Sequence, residues 1–238
     1  MVRLKVLIPN IPFKLPLALL LATLLSFATN PEMASAGADD EKVAYELLSI
    51  GDYGQAKEIL ERLVSEGSIG AHANLASLYL NGHGVTQDYG KARELYLTAA
   101  NRGHPGAQNN LGSMYFYGKG IPQDYAEALK WYRKAAAQGH ARSHALIAYM
   151  YSQGLGVEIN ESRAVSYFVQ ATRLGDAEAP RSLGYLYASG RGVPKDVVMA
   201  HALFGLAKSR GNKAADGEFR ATRELLSDPE LLGANIFK

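Results

Sequence analysis

The 238-residue chain has no cysteine, which excludes a disulfide framework, a thiol nucleophile, a zinc–thiolate site, an iron–sulfur cluster and an N-terminal cysteine lipid anchor. With 47% hydrophobic residues it can bury a sizeable core. With 25 Lys and Arg against 23 Asp and Glu, it is neither an acidic disordered tail nor a basic nucleic-acid arm.

Residues 1–36 differ from the rest. Arg3, Lys5 and Lys14 give a basic start, Leu15 to Pro31 carries no charge, and Leu17 to Ala28 is nearly unbroken apolar. That run is shorter than the ~20 residues of a spanning helix. Ala34-Ser35-Ala36 follows it with the A-x-A pattern of a signal-peptidase site. The segment reads as a cleaved secretory signal ending at Ala36, or at Ala28 through Ser26-Phe27-Ala28. An uncleaved N-terminal membrane anchor is the alternative, because the basic leader is long and holds Pro9 and Pro12. Export would place the mature protein in the periplasm or outside the cell, with no stable membrane span once the signal is gone. Without residues 1–36 the chain is balanced, with 22 basic and 22 acidic residues. Such a surface has no long-range attraction for nucleic acid or anionic lipid. Residues 37–41 are expected to be flexible.

From there the chain repeats with a period of 36: Gly67, Gly103, Gly139, Gly175 and Gly211 mark it. Leu75, Leu111, Ile147 and Leu183 keep the register, as do Tyr79, Tyr115, Tyr151 and Tyr187, and the paired glycines Gly82/Gly84, Gly118/Gly120, Gly154/Gly156 and Gly190/Gly192. Asp88, Asp124, Asn160 and Asp196 follow, then Ala92, Ala128, Ala164 and Ala200. Periods of 20–50 residues indicate solenoids or propellers.

The unit at 107–138 shows which. Ala107, Leu111, Met114, Tyr115 and Gly118 fall at helical spacing, giving helix A. Gly118-Lys119-Gly120 ends it, since glycine takes the left-handed cap without a Cβ clash. Ile121 re-enters the core, Pro122 stiffens the loop, and Asp124 caps helix B, with Glu127 three residues on forming a capping box. Ala128, Trp131, Tyr132, Ala135 and Ala136 are the apolar stripe of helix B, and Gly112 and Ala128 let the two helices approach closely. Each unit is a helix–turn–helix, and stacked units share one core. Before the full units, Lys42–Gly67 is a half-matching copy in which Gly51-Asp52-Tyr53 replaces the long loop. After them, Ala214–Leu226 reads as one polar-faced closing helix, stopped by Asp228-Pro229, with Leu231–Lys238 a loose tail.

The string Ala107-Gln-Asn-Asn-Leu-Gly-Ser-Met-Tyr-Phe-Tyr-Gly-Lys-Gly-Ile-Pro-Gln-Asp-Tyr-Ala-Glu-Ala-Leu-Lys-Trp-Tyr-Arg-Lys-Ala-Ala-Ala-Gln-Gly139 resembles a Sel-one-like repeat, a relative of the tetratricopeptide repeats with a longer inter-helix loop. The resemblance covers 67–210 in four copies; in the last two, Tyr167-Phe168 and Leu203-Phe204 stand where Trp131-Tyr132 do. It implies an all-α, right-handed α/α superhelical solenoid. The expected organisation is a signal peptide at 1–36, a tetratricopeptide-like hairpin at 37–66, repeats at 67–102, 103–138, 139–174 and 175–210, and a closing helix and tail at 211–238.

Candidate sites follow from what does and does not repeat. His140 and His144 are four apart, as a metal pair on one helix face would be. But His104 occupies the slot of His140, and no third ligand is in view, so no metal is expected. The recurring Asp88, Asp124 and Asp196 are explained by helix capping rather than by acid catalysis. No G-x-S-x-G, H-E-x-x-H or P-loop occurs, and the G-x-G tripeptides follow no strand. Some cysteine-rich relatives of the family have been linked to β-lactam hydrolysis, but this chain lacks their cysteines. Neither an enzyme nor a cofactor is expected. By analogy with tetratricopeptide arrays, helix A lines a concave groove, whose slots here are Asn109, Ser113, Phe116 and Tyr117, then Tyr149 one repeat on, then Arg181 and Tyr185. Tyr149 and Tyr185 share one slot, and with Phe116, Tyr117 and Arg181 they would form an aromatic–Arg patch of the kind that dominates binding hot spots.

The resemblance implies an exported bacterial adaptor, envelope scaffold or regulator that binds a protein partner's peptide or helix along that groove as a monomer. The alternative is a polysaccharide- or peptidoglycan-associated envelope scaffold, since aromatic platforms also stack on sugars. A cell-wall or β-lactam hydrolase is the remote third reading; a cell-wall hydrolase would need a pair of acids outside the repeat register and facing one cleft.

Overall fold

The computed structural model describes residues 31–227. Among them are eleven helices and no strand, laid out as consecutive hairpins. They are α1 (Pro31–Ile50) with α2 (Tyr53–Ser65), α3 (Ile69–Asn81) with α4 (Tyr89–Asn101), α5 (Pro105–Tyr117) with α6 (Tyr125–Ala136), α7 (Ala141–Gln153) with α8 (Glu161–Arg173), and α9 (Ala179–Ser189) with α10 (Val197–Ser209). The single helix α11 (Ala215–Glu224) follows.

The basic leader, its apolar run, the cut after Ala28, the Asp228-Pro229 stop and the tail at 231–238 lie outside the described residues. The cut after Ala36 falls inside α1. Residues 37–41, expected to be flexible, are helical instead. Two of their acids have docking partners far along the chain: Asp40 pairs with Arg62 of α2 at 2.8 Å, and Glu41 accepts a hydrogen bond from Ser68, which caps α3.

Local chemistry sets the helix ends. Asp52, Asp88, Asp124, Asn160 and Asp196 each accept the backbone N–H three residues on, which satisfies a donor that the first turn would otherwise leave unpaired. The capping box at Asp124 is half made. The Asp124 N–H is taken by the Tyr115 carbonyl at 3.0 Å, so Glu127 has nothing to reach back for and pairs with Lys130 at 2.7 Å. Gly118 caps α5 at φ 66°, and its N–H returns to the Met114 carbonyl. The other helix-A ends at Gly82, Gly154 and Gly190 are built alike.

No hairpin has a core of its own. Ala73 and Ala76 of α3, Tyr96 and Ala99 of α4, Leu111 and Met114 of α5 and Trp131 of α6 form one buried cluster across two repeats. A second joins Phe116, Tyr132, Ile147, Met150 and Ala164, and a third joins Ala148, Phe168, Leu183 and Leu203. The half-matching hairpin enters the array in the same way, through Ala44, Leu60 and Leu63 against Leu75 and Leu78. Where helix B carries a large ring, helix A makes room: a Cβ on Gly112 would lie 2.8 Å from the Tyr132 ring. Each repeat therefore covers the open apolar face of its neighbour, and α11 covers the last one.

Candidate functional site

The face built by successive A helices is where the sequence places a binding groove. On α7, Arg142, Ala145, Leu146 and Tyr149 recur at three- and four-residue spacing and so share a side. Together with Tyr117 from the end of α5, Phe168 from α8, and Glu178, Ala179 and Ser182 at the start of α9, they line a cleft of about 380 Å³. Its rims are aromatic. Tyr117 is 61% exposed and Tyr149 46%. Both rings rest on Phe116, whose centroid is 4.9 Å from that of Tyr117 and 6.4 Å from that of Tyr149.

The seven residues read from the sequence thus divide. Tyr117 and Tyr149 reach the cleft. Phe116 and Asn109 are not groove surface but buried packing, which corrects the expectation that they are exposed. The physical reason is in each case a partner in a neighbouring element. Phe116 is enclosed by the Tyr125 and Tyr132 rings as well as the two rim tyrosines. Asn109 accepts a hydrogen bond at 3.0 Å from Ser143 of the next repeat. Ser113, half-buried, is hydrogen-bonded to the Asn109 carbonyl and the Tyr132 hydroxyl, both at 3.1 Å.

Arg181 and Tyr185 are half-exposed, and the chain itself occupies them. The guanidinium donates to Glu218 Oε1 of α11 through Nε at 3.1 Å and through the second terminal nitrogen at 2.6 Å. It also donates to the Tyr185 hydroxyl, which in turn donates to the same Glu218 oxygen. Hydrogen bonding to Glu218, with burial, pushes the Tyr185 phenol up. The aromatic–Arg patch is therefore two separate places: an open cleft around Tyr117 and Tyr149, and a closed junction around Tyr185.

Sequence reasoning missed Arg142 and Glu178 at the cleft mouth. Arg142 is loosely held, 3.9 Å from Asp176. Glu178 accepts from Asn212 at 2.9 Å. The available signal was the seven-residue step from Arg142 to Tyr149, which keeps both on one helix face.

The histidines have local roles. His104 and His140 are N-caps whose Nδ1 atoms accept from the backbone of Ala107 at 3.0 Å and Ser143 at 3.3 Å. Burial pushes both imidazoles down. His144 Nδ1 faces the His140 carbonyl at 3.2 Å. Among the described residues no three His, Asp or Glu gather as metal ligands would, and no helix is long and apolar enough to cross a membrane.

The Sel1 repeat model matches residues 69–104, 105–140, 141–176 and 177–212. No curated protein matches the chain significantly. Among solved structures, a Sel1 repeat protein from Oxalobacter formigenes is 30% identical, with a TM-score of 0.72 over 80% of each chain. The c5321 protein, a protective antigen of uropathogenic Escherichia coli strains with an SLR fold, is 28% identical over 85% of this chain and 44% of its own, with a TM-score of 0.71. The immunity protein Pa5087 of Pseudomonas aeruginosa is similar in fold, with a TM-score of 0.54 at 23% identity over 76% of this chain and 68% of its own. The unbroken run of four matched units, with the same helix pairs recurring in a 30%-identical structure, makes this chain a member of the Sel1 repeat family, whose repeats generally mediate protein–protein interactions on a typically non-enzymatic scaffold.

Proposed function

We propose that the protein is a non-enzymatic interaction scaffold of the bacterial envelope that seats a segment of a partner protein in the cleft between α5, α7 and α9. The observation that carries this reading is the pair of half-exposed tyrosines, Tyr117 and Tyr149, held over a concave surface by the buried Phe116 ring. Aromatic rings fixed in this way present a large contact area and lose little conformational freedom on binding. The Arg142 and Glu178 charges at the mouth favour a partner segment with an apolar anchor flanked by polar groups over a purely apolar one. Envelope placement rests on the basic and apolar leader and its A-x-A site.

The test is in-cell crosslinking of the tagged protein in the envelope fraction, followed by mass spectrometry, with and without the double change Tyr117→Ala and Tyr149→Ala. A dominant protein partner should be captured by the parent and lost by the variant, with the variant still folded at the temperature of the experiment. Capture that survives the double change would remove the cleft from the function. Because tyrosine rims also stack on sugars, a glycan array is run alongside. Retained polysaccharide with no protein partner would favour a polysaccharide-associated scaffold.

A further inference from the structure

A second concavity, of about 340 Å³, lies on a different side of the array and rests on a different tyrosine. Tyr151 is two residues beyond Tyr149 on α7, about 200° round the helix axis. The residue is only 4% exposed, yet it lines the concavity. Arg133, in the last turn of α6, donates to its hydroxyl oxygen at 2.9 Å, and Arg163, in the first turn of α8, donates to it at 3.1 Å. Two guanidinium groups therefore face each other across one oxygen atom. Among the described residues no carboxylate lies within ion-pair distance of either. The ion pairs formed by other arginines, such as Arg62 with Asp40 and Arg191 with Glu161, have no counterpart here.

The repeat supplies an internal control. The slots of Arg133 and Arg163 hold Glu61 and Lys91 around Tyr79, Leu97 and Glu127 around Tyr115, and Val169 and Met199 around Tyr187. Tyr79 has one acid and one base, Tyr115 one acid, Tyr187 no charge, and Tyr151 alone has two bases. The solenoid does not need this pair in order to stack, since three junctions are built without it.

The remaining chemistry is that of donors. The phenol oxygen accepts from both arginines, which leaves its own proton to give, and each guanidinium keeps further N–H groups. Asn160 and the apolar side chains of Val157 and Ile159 complete the wall, and Glu158 stands in it as an exposed acid. Burial alone would raise the Tyr151 phenol, but the hydrogen bonds from Arg163 and Arg133 outweigh it and hold the group below its usual value. That is the mark of a locally positive field.

We propose that Arg133, Arg163 and the Tyr151 hydroxyl form a binding site for an oxyanion with at least two acceptor oxygens, either a phosphate or a carboxylate. Planar guanidinium forks match both groups, and two forks converging from different helices fix the anion between successive repeats. The site is separate from the tyrosine cleft, and its assignment does not depend on that cleft binding a protein.

The test is an NMR titration of the full mature chain, following arginine Nε–H and backbone signals, with inorganic phosphate and separately with acetate, at constant ionic strength. Saturable shifts confined to Arg133, Arg163, Tyr151 and their neighbours are expected. Saturation by phosphate alone assigns the phosphate class, and saturation by acetate assigns carboxylates. Arg163→Met keeps the aliphatic stem and should weaken binding about tenfold or more. Glu158→Gln removes the one acid in the wall and should tighten it severalfold, and Arg142→Met, at the other cleft, should leave it unchanged. The wild-type titration decides the matter even if a variant fails to fold. Saturation by neither anion, or shifts that persist in Arg163→Met, would overturn the site.

Discussion

At the junction of α9 with α11, Tyr185 and Arg181 hold Glu218, and the surface is closed by the chain itself. At the junction of α7 with α9, one repeat earlier, Tyr149 stands in the same slot, but Ala145 replaces Arg181 and Ser182 replaces Glu218. Both tyrosines are 46% exposed, so exposure does not distinguish them; their hydrogen-bonding neighbours do. A recurring aromatic in a repeat array marks a place where binding is geometrically possible. Whether the chain or a partner uses that place is decided by the residues one repeat further on.

The strongest way to disturb the open junction is through its backbone support. Gly192, in the loop of the last repeat, sits at φ 72° against α8 of the repeat before, and a Cβ there would lie 2.5 Å from the carbonyl carbon of Glu161. Gly192→Ala therefore combines the left-handed strain of a non-glycine residue, about 1–2 kcal/mol, with an overpacking cost of about 1–3 kcal/mol. Gly118→Ala is strained alike, but its nearest neighbour is the Gln123 side chain at 3.4 Å. Thermal unfolding should show Gly192→Ala as clearly the less stable of the two. Equal midpoints would mean that the repeats do not meet as closely as this loop requires.

The two tyrosines give a smaller contrast. Tyr185→Ala strips a hydrogen bond from the Arg181–Glu218 pair and should cost about 1–3 kcal/mol, or several degrees of melting temperature. Tyr149→Ala removes a half-exposed ring with no polar partner and should cost less than about 1 kcal/mol. Glu218→Gln should fall between them, near 1 kcal/mol, because Glu218 Oε2 is buried without a partner and already offsets part of the gain from pairing. A loss for Tyr149→Ala as large as that for Tyr185→Ala would make both rings packing residues and leave the aromatic rim of the cleft to Tyr117.

The features legible in the sequence are those set within one repeat. Asp88, Asp124, Asn160 and Asp196 were readable as caps because an N-cap bonds three residues on in the same chain segment. Tyr117 and Tyr149 were readable as exposed because helix geometry turns them from the stripe that Leu111 and Ile147 define. What was not legible comes from the next repeat or from further away. Asn109 looks exposed until Ser143 meets it, Phe116 until the Tyr149 ring of α7 joins the rings of its own repeat, and Arg181 looks free until Glu218 arrives from α11. The same holds for Asp40 and Glu41, whose partners lie on α2 and in the cap of α3. A one-unit period records the slots; contacts between units depend on which side chains fill two slots at once.

The smallest effect, and the most selective, is that of pH on the closed junction. His201 of α10 is buried, hydrogen-bonds Thr222 at 2.9 Å and stacks on Phe219 with ring centroids 4.3 Å apart, so it fastens α11 to α10. Burial pushes its pKa below the ordinary 6.5, more than the backbone hydrogen bond at Phe219 raises it. The unfolded chain then binds the proton more readily than the folded one. The stabilisation is complete above pH 6.5 and is lost as pH falls through 6.5 toward the folded value. Glu218 acts at lower pH. Burial would raise it, but hydrogen bonds from Tyr185 and Arg181 prevail and hold it below 4.5. Its contribution is present above 4.5 and fades as pH falls through the folded value. Acid should therefore loosen α11 in two steps. His104 and His140, also pushed down by burial, add a weaker loss of capping at α5 and α7 in the upper range. Hydrogen exchange at about pH 7.5, 5.5 and 4.0, corrected for intrinsic rates, should show the amides of α11 losing protection before those of α7. His201→Gln should remove the first step for α11 and leave the second. Simultaneous loss in α7 and α11 would mean that the closed junction is held by apolar packing alone, and that Glu218, despite its place between Tyr185 and Arg181, does not distinguish it from the open one.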